Sequence, residues 1–413
     1  MKTLNDFNAH DLDRQDPLAR FRDRFEMPQG VIYMNGNSLG PLTRDARERM
    51  ARTVSEEWGE DLIRGWNTAG WYDLARRVGD KIGRLIGADA GETVMCDSTS
   101  VNLFKAVSSA LDLRPGRTKI VTEAGNFPTD LYMLDGINRF SAEKYDIQIL
   151  PRDQIADAID EETAVVVLTH VHYVTGEIFP LRELTARAHE MGALTVWDLS
   201  HSVGAVDVRL NDWGADFAVG CGYKHLNGGP GAPAFLFAAR RYHETMRQPL
   251  SGWFSHKSPF AFRDDFEPTV GAGRMLCGTT GVLGGSALEA AVDLMLESDQ
   301  AERLEKMKLL SRYFQLLVGE RCQGLGLDCV SPDDVEKRGA HLSYRHENAY
   351  AVMQNLIARG VIGDFRAPDQ MRFGFSPLFM SFSDIKNAVD ILADILGRGS
   401  WQAAEYQTRN AVT

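Results

Sequence analysis

Cysteine is scarce in this chain, with five among 413 residues, at positions 96, 221, 277, 322 and 329, and no C-x-x-C pair. An odd, dispersed set of this kind suggests neither a disulfide framework nor a zinc knuckle and fits a reducing compartment. Positive charge is short as well: Lys+Arg number 45 against 57 for Asp+Glu, for a net charge of −12. That balance argues against a broad basic footprint for nucleic acid or an anionic membrane. No uncharged apolar run approaches the ~20 residues that cross a bilayer. The opening stretch, MKTLNDFNAHDLDRQDPLARF, lacks the apolar core of a signal peptide. Internal repeats and low-complexity tracts are missing too. A cytoplasmic protein acting on a small neutral or zwitterionic molecule is expected.

What is present is an ordinary globular composition, 44% hydrophobic, in a chain long enough for two or three domains of ~150 residues. The middle alternates short β-branched runs with helical patterns, the pattern of βαβ units. Helices are predicted at 100–112, 128–140 and 181–191. Strands are predicted at 117–122, 145–150, 163–170, 193–200, 215–221 and 232–238. "AVVVL" and "FAVG" are continuous rather than alternating, as in strands covered on both faces. From about residue 286 a long helical stretch to 321 is followed by short alternating strands such as "HLSYRHE" and "MRFGFS". The expected fold is α/β: a large domain (56–285) with a mainly parallel sheet covered by helices, plus a smaller α+β domain made of 1–55 and 286–413.

In an open α/β sheet, ligands bind beyond the carboxyl ends of the strands, so polar residues directly after apolar runs are informative. "WDLSH" (197–201) puts Asp198 at a strand end and His201 three residues on; the pair could serve a cationic ring, or Asp198 could cap a turn beside a surface histidine. In "DSTSVNLFKAVSSAL", Val101, Phe104, Val107 and Leu111 share one helical face, which sets Thr99 and Ser100 at the helix start. That is a phosphate site, or a plain N-cap. "NFPTD" (126–130) gives Pro128 a first helical position, with Phe127 free to cover a planar ligand and Asp130 to face it, or with Phe127 serving as a hydrophobic staple. Finally, "VGCGYKHLNGGPG" (219–231) ends an apolar run on Tyr223 and Lys224. A lysine there either snorkels from a turn or reacts with carbonyl compounds, with Tyr223 reaching a phosphate or donating a proton. The glycines at 228, 229 and 231 would let backbone approach a bulky planar group.

Taken in order, these four places form the layout of a fold-type-I pyridoxal 5'-phosphate (PLP) site, with the Asp on the pyridine nitrogen and the Lys on the aldehyde. The chain resembles the kynureninase family, of bacterial type, through "NGNSLGPL" (35–42), "GWNTAGW" (65–71), "DSTSVNLFK" (97–105), "NFPTDLY" (126–132) and "VHYVTGE" (171–177). The likeness continues in "WDLSHSVGAV" (197–206), "YKHLNGGPG" (223–231), "PLSGWFSH" (249–256), "GVIGDFR" (360–366) and "MRFGFSPL" (371–378). Asn35 and His225 depart from common family residues at positions with no assigned chemical role.

The resemblance implies hydrolysis of L-kynurenine to anthranilate and L-alanine in tryptophan degradation, by a homodimer with shared active sites. It makes Lys224 the cofactor-tethering lysine, Asp198 the partner of the pyridine nitrogen and Tyr223 a catalytic proton shuttle. Thr99, Ser100 and Tyr223 match phosphate-side ligands. Phe127, Pro128, Thr129, Asp130, Thr169 and His201 match other cofactor contacts, and Trp253 and Thr279 match positions that complete the site. Arg372 matches the substrate carboxylate clamp; its bland alternative is an exposed edge-strand arginine. Ser38 and Trp66 match substrate-side positions. Trp66 and Thr279 are of bacterial character, which implies a preference for kynurenine over its 3-hydroxy derivative. Rival readings are a cysteine desulfurase, an aminotransferase, and a metal-dependent hydrolase built on His170, His172, Asp198 and His201.

Overall fold

A computed structural model describes residues 8–409. In chain order its strands are β1 (Ile32–Tyr33), β2 (Thr93–Met95), β3 (Lys119–Glu123), β4 (Asp146–Leu150), β5 (Thr163–Thr169), β6 (Leu194–Asp198) and β7 (Phe217–Gly220). They continue with β8 (Phe235–Ala238), β9 (Asp328–Cys329), β10 (His341–Arg345), β11 (Val361–Ile362), β12 (Asp364–Arg366) and β13 (Gln370–Gly374). The chain divides into two units: Asp45–His172 with Phe179–Met295, and the residues up to Arg44 with Tyr173–Ile178 and those from Leu296.

The large unit is built on a seven-stranded sheet of order β2-β8-β7-β6-β5-β3-β4. Only β8 runs against its neighbours; the other pairings are parallel. Every residue of β5, β6 and β7 is buried, which is why these strands read as unbroken apolar runs. The topology sets the carboxyl ends of β2, β3, β5, β6 and β7 along one edge of the sheet, and the segments singled out above all leave from that edge.

Helix Thr99–Asp112 packs on the sheet through Leu103, Ala106, Val107 and Ala110, all fully buried. Its inward face is rotated from the expected one, since Val101 and Phe104 are only half-buried while Asn102 and Lys105 lie inside. Periodicity missed this because two polar side chains occupy core positions, where each finds hydrogen-bond partners.

The small unit carries an antiparallel sheet of order β12-β13-β10-β9 and a parallel pair, β1 with β11. Helices Gln300–Arg321, Ala349–Ala358 and Phe382–Arg398 accompany them. Two expectations differ from this arrangement. The 286–321 stretch is two helices, Val282–Leu296 and Gln300–Arg321, because Asp299 caps the second, its side chain accepting from the Glu302 N–H at 3.0 Å. The unit boundaries fall at 44/45 and 295/296 rather than 55/56 and 285/286. The first of those helices buries Leu288, Ala291, Val292 and Leu294 and stays with the large unit. Residues 173–178 go to the small unit, where Ile178 N–H donates to Lys337 O at 2.9 Å and Glu177 bridges Arg338.

Asp299→Ala should remove one cap bond of a 22-residue helix. Its expected cost is about 1 kcal/mol, read as a lower urea midpoint.

Candidate active site

At the end of β6, Asp198 is enclosed by apolar strands, and its Oδ1 accepts from the Ser200 N–H at 2.7 Å. No cation pairs with it within salt-bridge distance among the described residues. Burial raises its pKa above the usual carboxylate range, against the lowering effect of the Ser200 hydrogen bond and the Lys224 charge. Asp130, in the first turn of helix Pro128–Phe140, is buried too. Burial and then the charge of Asp198 push its carboxyl well up. Thr169, at the end of β5, bonds to Asn126 Oδ1 at 2.5 Å and to Asp130 Oδ2 at 3.3 Å. Two dehydrated carboxylates thus share one sheet edge, a repulsive arrangement unless a cation joins them.

Lys224 lies where β7 gives way to the Gly-rich turn. Its Nζ is 2.9 Å from His201 Nε2, and 5.9 Å from both the Phe127 and Tyr223 ring centroids. The lysine N–H donates a hydrogen bond to the unprotonated ring nitrogen, so His201 fixes the lysine's direction. The lysine therefore does not snorkel into solvent, and His201 is a buried rather than a surface histidine. Tyr223 keeps its proton at neutral pH, because burial, Cys221 and Asp198 all push the phenol up. Gly228 serves a different purpose from the one expected: a Cβ there would lie 2.7 Å from both Gly222 O and Leu288 Cδ1, so the close approach is to the chain itself.

Phe127 is 41% exposed at the N-cap of its helix and makes no buried staple, so a planar ligand could lie against it. Pro128 and Thr129 follow in the same turn. Ser98 caps helix Thr99–Asp112, accepting from Val101 N–H at 3.4 Å. Thr99 and Ser100, half-buried, therefore occupy its first turn with hydroxyls that have no hydrogen-bond partner among the described residues. A second group contains Trp66, edge-on to Trp71 at 5.8 Å and 5.9 Å from Phe254. Phe254 also meets Trp253 at 4.5 Å, and Trp253 Nε1–H donates to Thr279 Oγ1 at 3.3 Å.

These residues fit PLP. The buried pair Asp198 and Asp130 suits a ring cation, Asn126 Nδ2 is buried with no hydrogen-bond partner, and the helix start at Thr99 offers free N–H and hydroxyl donors to a phosphate. A metal site does not form. Among the described residues no three His, Cys, Asp or Glu are grouped to hold one. His170 packs edge-on to Trp197 and Trp213, its pKa pushed down to about 3 by burial, and His172 Nε2 pairs with Gly125 O at 2.9 Å.

In the small unit Arg372 is 1% exposed and sits on β13, between β12 and β10, so it is no edge-strand arginine. Register places Asp364 directly across from it. Arg372 Nε–H and Nη2–H donate to Asp364 at 2.7 and 2.5 Å, Nη2–H to Ser38 Oγ at 2.9 Å, and Nη1–H to Tyr173 O. Arg366 Nη2–H reaches Asp364 at 3.1 Å, leaving the cluster with two cations and one anion. Burial alone would raise the Asp364 pKa, but Arg372, Arg366 and Ser38 bring it below the ordinary value. Sequence reasoning missed Asp364, Arg366 and Asn126, although "GDFR" sets the first two on one strand two residues apart, where side chains share a face.

Comparison with known proteins agrees with this architecture. The family model "Aminotransferase class-V" matches residues 54–337, more than half of the chain, and "Kynureninase C-terminal domain" matches 304–392. A C-DES variant with glycine linked covalently to PLP superposes with a TM-score of 0.78 at 16% identity, covering 90% of this chain and 99% of that one. An apo cysteine desulfurase from Thermococcus onnurineus gives 0.78 at 17% identity, with 92% and 98% covered. At such identities these two share the fold. Fold and site together define a PLP-dependent enzyme of fold type I. Kynureninases from Pseudomonas fluorescens and Burkholderia pseudomallei (strain 1106a) are each 46% identical to the chain, over the full length of both proteins. The chain belongs to the kynureninase family.

Asp364→Asn should strand the buried Arg372 charge and cost about 3 kcal/mol or more at pH 7. Because the folded Asp364 pKa is depressed, the wild-type advantage is full above the unfolded value near ~3.9 and fades as pH falls through the folded one. Urea unfolding of both proteins across that window measures it.

Proposed function

We propose that this protein hydrolyses L-kynurenine to anthranilate and L-alanine, breaking the Cβ–Cγ bond with PLP as cofactor, in tryptophan degradation. The observation that carries the reading is kynureninase-family likeness along the whole chain. It is supported by a lysine hydrogen-bonded to His201 at the sheet edge that carries the buried pair Asp198 and Asp130.

When bound, PLP supplies an aldehyde for amino groups and a protonated ring that withdraws electrons from the substrate's α and β carbons. Asp198 would hold the ring nitrogen protonated, since a nearby cation favours the ionised form of this desolvated carboxylate. Phe127 would cover the ring, with Asp130, Thr169 and Asn126 along its polar edge. Thr99, Ser100 and Tyr223 would take the phosphate. Lys224 would tether the cofactor and, once released, take the proton from the substrate α-carbon, with His201 directing its amine. Tyr223, protonated at neutral pH, would donate a proton while water adds to the γ-carbonyl and the Cβ–Cγ bond breaks.

Arg372 and Ser38 would receive the substrate α-carboxylate by exchanging part of their present bonding to Asp364 and Tyr173 O, and the cluster's excess positive charge favours such an anion. Trp66, Trp253 and Thr279 would face the arene and complete the site, and their character favours kynurenine over 3-hydroxykynurenine, which should react more slowly. We also read the protein as a cytoplasmic homodimer. No helix among the described residues is long and apolar enough to cross a membrane. Exposed Phe260, Phe262 and Val270 give the large unit an apolar surface for a second copy to cover.

Purified protein should show a visible absorption band that borohydride abolishes by fixing the cofactor to Lys224, and should release fluorescent anthranilate from L-kynurenine. Lys224→Ala should lose the borohydride-fixable band and nearly all turnover. A band without anthranilate would overturn the kynurenine assignment and leave an aminotransferase reading. A higher kcat/KM for 3-hydroxykynurenine would overturn the stated preference.

A further inference from the structure

Lys105 closes the stretch 97–105, yet the chemistry above draws only on Thr99 and Ser100. A side chain on a helix leans toward the helix N-terminus, so the Lys105 stem runs back beneath the first turn of helix Thr99–Asp112. Its Nζ is fully buried and meets Asp97 Oδ2 at 2.5 Å, Met275 O at 2.6 Å and Cys96 Sγ at 3.4 Å. An ammonium has three donors, and all three find acceptors. Burial alone would lower its pKa, but Cys96 and Asp97 leave it raised, and it stays cationic.

Two loops meet at that amine. On one side Asp97 is held at φ +45°, a left-handed backbone that residues with a side chain seldom adopt. Asn102 secures the neighbouring residue, its Nδ2–H donating to Cys96 O at 2.7 Å. Together these contacts deliver Ser98 to the N-cap and leave Thr99 and Ser100 in the first turn. On the other side Met275 begins the run to Thr279. There Cys277 O accepts from Phe254 N–H at 3.2 Å, and a Cβ on Gly252 would come within 2.2 Å of the same oxygen. Trp253 then bonds to Thr279.

We propose that Lys105 is a positioning residue for the phosphate end of the cofactor, clamping the Thr99–Ser100 helix start to the segment that carries Thr279. The inference rests on the reading that this helix start holds the phosphate. It predicts a defect that depends on that group and not on the ring.

Apo protein of wild type, Lys105→Met and Lys105→Arg would be titrated with PLP and with pyridoxal, which lacks the phosphate, while circular dichroism monitors folding. Lys105→Met should bind PLP at least about tenfold more weakly, with pyridoxal affinity unchanged and Lys105→Arg recovering part of the loss. Equal losses for both ligands, or undiminished PLP binding, would overturn the proposal. Should Lys105→Met not fold, Asp97→Asn decides the matter, since it keeps the lysine and removes its counter-charge; the same phosphate-selective loss is expected. Wild-type protein that binds both ligands equally would instead overturn the phosphate reading beneath the proposal.

Discussion

Dehydrated negative charge at one edge of the central sheet is the constraint that organises the large unit. Asp198 and Asp130 are both buried, and the cation whose charge bears on both is Lys224, itself committed to His201. A carboxylate removed from water binds a proton or a cation more avidly than an exposed one, so the apolar strands that flank Asp198 raise its affinity for either. Core and chemistry are here the same feature. The fully buried β5, β6 and β7 that stabilise the unit also strip water from the carboxylate.

The small unit meets buried charge in the opposite way. Arg372 has its own carboxylate, supplied across the ladder from β12, and nearly every donor of its guanidinium is engaged. Breaking that pair would strand a buried charge, whereas Asp198 and Asp130 have no cation within salt-bridge distance among the described residues. What the small cluster retains is a surplus of one positive charge, with Arg366 its more accessible member. The two clusters thus carry local surpluses of opposite sign.

Much of this was legible in the sequence, because strand-end polar residues follow apolar runs whatever the tertiary contacts turn out to be. Asp198, Lys224 and the helix starts at 99 and 128 stand where the periodicity put them. What it could not reveal is polar residues inside the core. Lys105 and Asn102 interrupt an apolar helix face and look like solvent positions until their partners at 96, 97 and 275 are seen. Asp364 was equally hidden, since its meaning comes from cross-strand register with Arg372. The helix break at Asp299 was readable from its cap residue, but the flanking apolar and charged pattern continued through it.

A shared scaffold leaves the reaction undetermined, so the discriminating groups must lie around it. A desulfurase needs a reactive thiol, and Cys96, Cys221 and Cys322 are buried, with their thiol pKa values raised by that burial, while Cys277 is half-buried and Cys329 exposed. Cys96 Sγ instead accepts from the Lys105 amine and its S–H donates to Asn102 Oδ1, as part of the turn's framework. The rings of Trp66, Phe254 and Trp253 meet one another at steep angles around the buried Phe254, with the Thr279 hydroxyl on the Trp253 indole. An aromatic group of this kind interacts through apolar area and ring edges, which an arene offers and a small aliphatic amino acid does not. Selection between reactions on this fold therefore rests on groups beyond the lysine and aspartate that the scaffold itself supplies.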